Sequence, residues 1–195
     1  IRTTGLERRP GEKSFYWAGK YHLDMNSRDT LATELNVLAD FQPKVPTEAR
    51  NADYVMLGNL DPNVQASVLD QMESRPKLIV LDTMNFWMDI ALDPLKEVIK
   101  RIDVLTINDE EARQLSGEHS LVKAAQKILQ MGPTTLVIKK GEHGALLFNS
   151  DEVFFAPALP LEEVLDPTGA GDTFAGGFIG YLAHTNDISF NNMKR

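Results

Sequence analysis

The sequence of 195 residues contains no cysteine. That excludes disulfides, thiolate metal sites and a thiol nucleophile, and it fits a reducing compartment, so a cytoplasmic location is expected. Nor is there an apolar run approaching the ~20 residues that span a bilayer, and no membrane partner is expected. Basic residues are outnumbered, 20 Lys and Arg against 28 Asp and Glu, for a formal net charge of −8. A nucleic-acid partner, which needs a basic footprint, is therefore not expected. The deficit does not exclude an anionic ligand, because backbone N–H groups can hold phosphate locally. His119, His143 and His184 have no metal-ligand spacing. Two nucleotide motifs are also missing: GxxxxGK[ST], and GxGxxG followed by a ribose-binding acid. The chain opens on Ile1 rather than Met, and it is expected to be a piece of something longer, truncated at both ends.

What is present is an ordinary globular composition, 43% apolar, of a size for one domain or one domain with a small appendage. Residues 13–22, KSFYWAGKYH, crowd four aromatics into rough alternation and predict a strand, or a strand and a turn at Gly19. Residues 29–39 predict a helix with Asp29 as its N-cap. From residue 53 the pattern becomes regular. Short apolar runs at 54–57, 78–81, 102–107 and 136–138 read as strands. Between them lie helical stretches, with Pro62, Asn108 and Ser120 at starts and Gly117 at a stop. Residues 145–148 and 153–156 predict a hairpin around Asn149-Ser150-Asp151, and a last helix opens near Gly171. Short strands alternating with helices imply a mostly parallel sheet covered on both faces, an α/β three-layer fold. Such sheets bind ligands beyond the carboxyl ends of their strands. Asp61, Asp82, Asn85, Asn108 and Lys140 all fall just after a strand, so one edge collects the polar residues.

Residues 166–178 read DPTGAGDTFAGGF. Gly169, Ala170 and Gly171 carry almost no side chain, so a ligand can approach the backbone closely. The first N–H groups of a helix lack internal partners and carry about half a positive charge. They suit a phosphate, or the charge that develops on a transferred one. Asp172 sits at the same terminus, where the dipole favours its ionised form. The small residues that follow, Ala175, Gly176, Gly177 and Gly180, are expected to let the helix lie close against the sheet. The plain alternative is a tightly packed, Asp-capped helix.

This segment closely resembles the second signature of the ribokinase-like (PfkB) sugar kinases. Asn108-Asp109-Glu110-Glu111 resembles that family's N-x-x-E motif, and Lys140-Gly141-Glu142-His143-Gly144 resembles its glycine-containing loop beside the nucleotide. The resemblance covers essentially the whole chain. It implies an ATP-dependent kinase with a central α/β core at 29–195 and a β-lid segment at 1–28. By the same resemblance, Asp172 is the catalytic base, and Gly169, Ala170 and Gly171 form the anion hole. Lys140, Gly141, Gly144 and Thr168 border the nucleotide. Asn108 and Glu111 act on Mg2+ through water, and Asp166 holds a monovalent cation such as K+. Lys139 is read, like Lys140, as a strand-end lysine able to assist phosphate binding.

The sequence departs from the family in two places. The glycine-rich first signature that helps hold the sugar is missing, and so is the terminal region that completes the adenine pocket. Residues 82–87, DTMNFW, resemble an Asp-x-Asn substrate motif with the spacing off by one. Asn59, Asp61 and Asn85 are assigned to the substrate, with His22, Asp24 and Asn26 near the lid as further contacts. The expected reaction is phosphoryl transfer from ATP to a hydroxyl of a sugar or sugar-like small molecule. The alternatives are a nucleoside kinase of the adenosine type and a non-catalytic ligand-binding relative. Aromatics on both faces of the lid strand, Phe15 and Trp17 against Tyr16, predict a homodimer formed through the lid.

Overall fold

The computed structural model describes residues 3–23, 25 and 28–195. It contains a small sheet and a large one. The small sheet pairs β1 (Tyr16–Tyr21) with β2 (Arg28–Glu34), antiparallel, with a bulge between Ala18 and Gly19. Residues 29–39 therefore do not form the expected helix. Thr30, Leu31, Ala32 and Thr33 are extended against β1, and a short 3-10 turn at Asn36–Leu38 follows. Leu31 and Leu35 lie at helical spacing, but β-branched Thr30 and Thr33 suit a strand, and pairing with β1 supplies hydrogen bonds that an isolated short helix cannot match. The boundary expected at residue 28 falls on the first residue of β2.

The large sheet has six strands in chain order. These are β3 (Tyr54–Leu57), β4 (Leu78–Asp82), β5 (Val104–Asn108), β6 (Thr135–Lys139), β7 (Ala145–Phe148) and β8 (Val153–Ala156). The first four are parallel, and β7 and β8 add the expected hairpin antiparallel to β6. The helices are α1 (Pro62–Asp70), α2 (Asn85–Ile90), α3 (Leu92–Ile99), α4 (Asp109–Ser116), α5 (Leu121–Leu129), α6 (Ala170–Thr185) and α7 (Phe190–Met193).

Strand alternation sends Ile79, Leu81, Leu105, Ile107, Leu136 and Ile138 to one face, where they pack with Leu69, Leu95, Val98, Ala112 and Ile128 from α1, α3, α4 and α5. Leu78, Val80, Val104, Val137 and Leu147 go to the other, where Leu182 and Phe178 of α6 meet them, flanked by Phe190 and Met193 of α7. This is the three-layer α/β arrangement the sequence predicted. Among the described residues, no helix is long and apolar enough to cross a membrane.

One packing expectation fails. Ala175 is fully buried under α6, but a Cβ added at Gly176, Gly177 or Gly180 would meet nothing within 4 Å. At 3.6 residues per turn the sheet-facing stripe of α6 runs through Ala175, Phe178, Ile179 and Leu182, and these glycines fall off it.

Candidate active site

The period of two that builds the second core also aims the site. On β4 the residues facing α6 are Leu78, Val80 and, at the strand's end, Asp82. On β5 they are Val104, Thr106 and Asn108, and on β6 they are Thr135, Val137 and Lys139. Polar side chains thus terminate three parallel strands at the carboxyl edge, on the face against which α6 packs.

Asp82 and Lys139 meet there. Lys139 Nζ donates to Asp82 Oδ1 at 3.1 Å, with the two side chains only 18% and 6% exposed. The strand order places β5 between them, so the pair bridges across that strand. Burial pushes the Asp82 carboxyl above its ordinary range. Lys139 and the Thr83 N–H oppose that push, and the charge of Asp172 adds to it.

The turn before α6 is shaped by Gly169, whose φ of 79° is left-handed. Gly169 has no side chain to offer, and no side chain caps the helix. Gly171 faces the lysine: a Cβ placed there would lie 3.1 Å from Lys139 Nζ. Asp172 stands exposed in the first turn of α6. Ahead of the turn, Asp166 Oδ1 accepts the Thr168 N–H at 2.9 Å. The Thr168 hydroxyl and N–H hold the Asp166 carboxyl below the usual range. The Thr168 hydroxyl also shares a 3.2 Å hydrogen bond with the Tyr21 hydroxyl, which ties the small sheet to this turn. On that sheet, Trp17 Nε1 donates to Thr30 Oγ1, and the Arg28 guanidinium lies over the Trp17 ring.

Asn108 and Glu111 form a capping box at the start of α4. Glu111 N–H donates to Asn108 Oδ1 at 2.8 Å, and Asn108 N–H donates to Glu111 Oε2 at 2.7 Å. Glu111 is no solvated helix residue, being 3% exposed. Burial pushes its carboxyl up to about 7, against the pull of the Asn108 N–H and of Lys139.

The remaining assigned residues scatter more. In the loop after β6, Lys140 N–H donates to Gly144 O at 2.8 Å around a 3-10 turn at Gly141–His143. Gly144 has φ of 85°, and a Cβ there would sit 2.0 Å from Ala156 O, so the backbone of β8 requires this glycine. Asn59 follows β3, where Trp87 Nε1 donates to its Oδ1 at 2.9 Å and its own amide reaches Met84 Sδ. Gln65 Nε2 joins this loop to the β4 end by donating to Gly58 O and Asp82 O. Asp61 caps α1, accepting from the Asn63 N–H and side-chain amide. Asn85 is turned toward Gln114 of α4. His22 pairs with Asp29 at 3.1 Å, while Asp24 and Asn26 lie outside the described residues.

Sequence reasoning put Asp82 at the polar edge and read Lys139, like Lys140, as able to assist phosphate binding, but it did not pair Lys139 with Asp82 or separate it from Lys140. The signal for Lys139 was its parity with buried Val137, which separates it from its neighbour Lys140. Among the described residues, no three His, Cys, Asp or Glu side chains gather closely enough to hold a metal. An uncapped helix start with an ammonium beneath it and a carboxylate at its rim suits a polyanion and a hydroxyl that must lose a proton. A hard divalent cation would arrive here with the polyanion and keep much of its water.

The pattern of the pfkB family carbohydrate kinases matches residues 20–189. The cytidine kinase of Thermococcus kodakarensis is 32% identical over 143 residues, 70% of this chain and 50% of that protein. Two solved structures share the fold. One is adenosine kinase of Anopheles gambiae in complex with P1,P4-di(adenosine-5) tetraphosphate. It has a TM-score of 0.79 and 20% identity, over 96% of this chain and 61% of that one. The other is a putative Ribokinase II from E. coli in complex with ATP and Mg+2. It has a TM-score of 0.73 and 19% identity, over 94% of this chain and 62% of that one. The chain thus spans less than two thirds of the length of each of these proteins.

Proposed function

Since the chain belongs to the pfkB family of carbohydrate kinases, we propose that it carries the phosphoryl-transfer site of an ATP-dependent kinase acting on a hydroxyl of a sugar or sugar-like molecule. The observation that carries this is the Gly169-Ala170-Gly171-Asp172 turn at the uncapped start of α6, with Lys139 Nζ against Gly171.

In this reading Asp172 accepts the proton of the acceptor hydroxyl. The acceptor oxygen forms a bond to the γ-phosphorus as the bond from that phosphorus to the bridging oxygen breaks, and ADP leaves with the electron pair. The N–H groups of Gly169 and Gly171 receive the charge on the transferred group, in the place where it develops, and the Ala170 N–H is shared with Pro167 O, to which it donates at 3.1 Å. Lys140, Gly141, Gly144 and Thr168 border the nucleotide. Asn108 and Glu111 would hold Mg2+ through water, and the ion would neutralise phosphate charge. Glu111 has one oxygen engaged by the Asn108 N–H, which fits an indirect role. A monovalent cation such as K+ is the finer part of the proposal: Asp166, kept ionised by Thr168, suits it. Asn59, oriented by Trp87, is the best placed of the three substrate candidates; Asp61 and Asn85 are occupied by their own neighbours.

The small sheet acts as a lid, with the face carrying Trp17 and Tyr21 turned to the site through the Thr168 contact. Its outer face leaves Tyr16 and Leu31 exposed at 53% and 68%. A homodimer through that face completes the reading, and light scattering tests it. A nucleoside is the second reading for the acceptor, favoured by the cytidine kinase likeness. ADP release from the intact protein, screened against sugars and nucleosides, tests the function. Release stimulated by a member of either set supports a kinase, and ATP binding with no stimulated release by any acceptor contradicts it.

A further inference from the structure

We propose that Lys139 is a catalytic residue of this site, contacting the phosphoryl group in transfer, and that Asp82 is the residue that positions it. The proposal rests on the kinase reading above.

Lys139 and Lys140 are adjacent in sequence but differently placed. Lys140 turns into the loop after β6, whereas Lys139 lies on the α6 face and reaches the helix start. Its ammonium is thereby brought to the positive end of a 16-residue helix. A mostly buried cation beside uncapped amides is a repulsive arrangement unless an anion joins them. Asp82 offsets the ammonium charge, but no side chain caps the helix start. Among the described residues, Asp82 is the one side chain to which Lys139 donates a hydrogen bond, which leaves the other ammonium hydrogens for a ligand. Asp172 follows Gly171 in the first turn of α6, and the Cβ position of Gly171 lies 3.1 Å from Lys139 Nζ. The base, the anion-binding amides and the ammonium therefore surround one small volume at the carboxyl edge.

Asp82 and Lys139 end strands of the central sheet rather than loops, so the ammonium is held on a rigid platform. A flexible lysine would have to be ordered in each turnover, and one already paired needs little rearrangement as charge develops. Lys139 forms no covalent bond and surrenders no proton. It adds a fixed positive charge where the γ-phosphoryl oxygens pass.

The test uses the intact protein and separates charge from packing. Lys139→Met alone strands the buried Asp82 carboxylate, so it is paired with the double variant Lys139→Met/Asp82→Asn, which removes both charges at similar volume. The double variant is expected to melt like wild type and to lose kcat by about 10²–10³-fold, the effect of deleting one transition-state donor. ATP affinity should weaken more than ADP affinity. Asp82→Asn, which keeps the ammonium but loosens it, should lower kcat while leaving the KM for ATP nearly unchanged. Wild-type kcat in the double variant, with turnover slowed as expected in Asp172→Asn, overturns the role of Lys139 and leaves the kinase reading standing. Wild-type turnover in all of these variants overturns the roles of both Lys139 and Asp172, whereas the absence of acceptor-stimulated turnover in the wild-type protein overturns the kinase reading.

Discussion

Glu111 offers a test in which stability and function are expected to move in opposite directions. Its carboxyl is 3% exposed and is pushed by burial from 4.5 up to about 7. At ~1.4 kcal/mol per pH unit, that rise sets roughly 3 kcal/mol against the ionised form in the folded state. The folded chain holds this proton more tightly than the unfolded chain. The stability it confers is therefore full below pH 4.5, falls as pH rises, and is gone once pH passes about 7. Glu111→Gln removes the titration and keeps an oxygen for the Asn108 N–H. In urea melts the variant should exceed wild type by about 3 kcal/mol near pH 8 and by less than about 1 kcal/mol near pH 5. If Glu111 steadies the hydrated ion as proposed, the same variant should need more magnesium for half-maximal turnover. An unchanged stability gap between the two pH values would refute the burial argument. An unchanged magnesium titration would return Glu111 to a capping role alone.

Gly144→Ala places a Cβ 2.0 Å from Ala156 O at a φ of 85°, so it should lower stability by about 2 kcal/mol or more, read by thermal melting. Gly171→Val would press on Lys139 Nζ, which lies 3.1 Å from the Cβ position. ATP affinity, measured by calorimetry, should fall in protein that remains folded; if only stability falls, the glycine serves packing. Trp87→Phe deletes the N–H that orients Asn59. It should raise the acceptor KM several-fold, in keeping with about 1 kcal/mol for a lost hydrogen bond, and leave the KM for ATP alone.

The sheet was legible in the sequence because a strand buried on both faces must be apolar throughout. Leu78, Ile79, Val80 and Leu81 are all nearly inaccessible. Two caps were legible too, since Asn108 and Ser120 act over a few residues, whereas the capping role of Asp61 was not read. The segment 28–34 was not, because its strand depends on a partner in β1. The outward direction of Gly176, Gly177 and Gly180 was hidden by their composition: small residues suggest close packing, and only helical phase decides where they point. In the site, the turn at 166–172 could be read as a motif with its own chemistry. The Asp82–Lys139 pair could not, because 57 positions separate the two and only the strand order brings them together.

The central claim is that Asp172 takes the acceptor's proton. Asp172→Asn keeps the size of the side chain and its place in the first turn of α6 but removes the basic oxygen. Single-turnover transfer from ATP by the intact protein, measured with an acceptor identified in the ADP-release screen, should slow by about 10²–10⁴-fold with ATP affinity and melting temperature preserved. Transfer at the wild-type rate by a folded, ATP-binding Asp172→Asn variant would contradict the account.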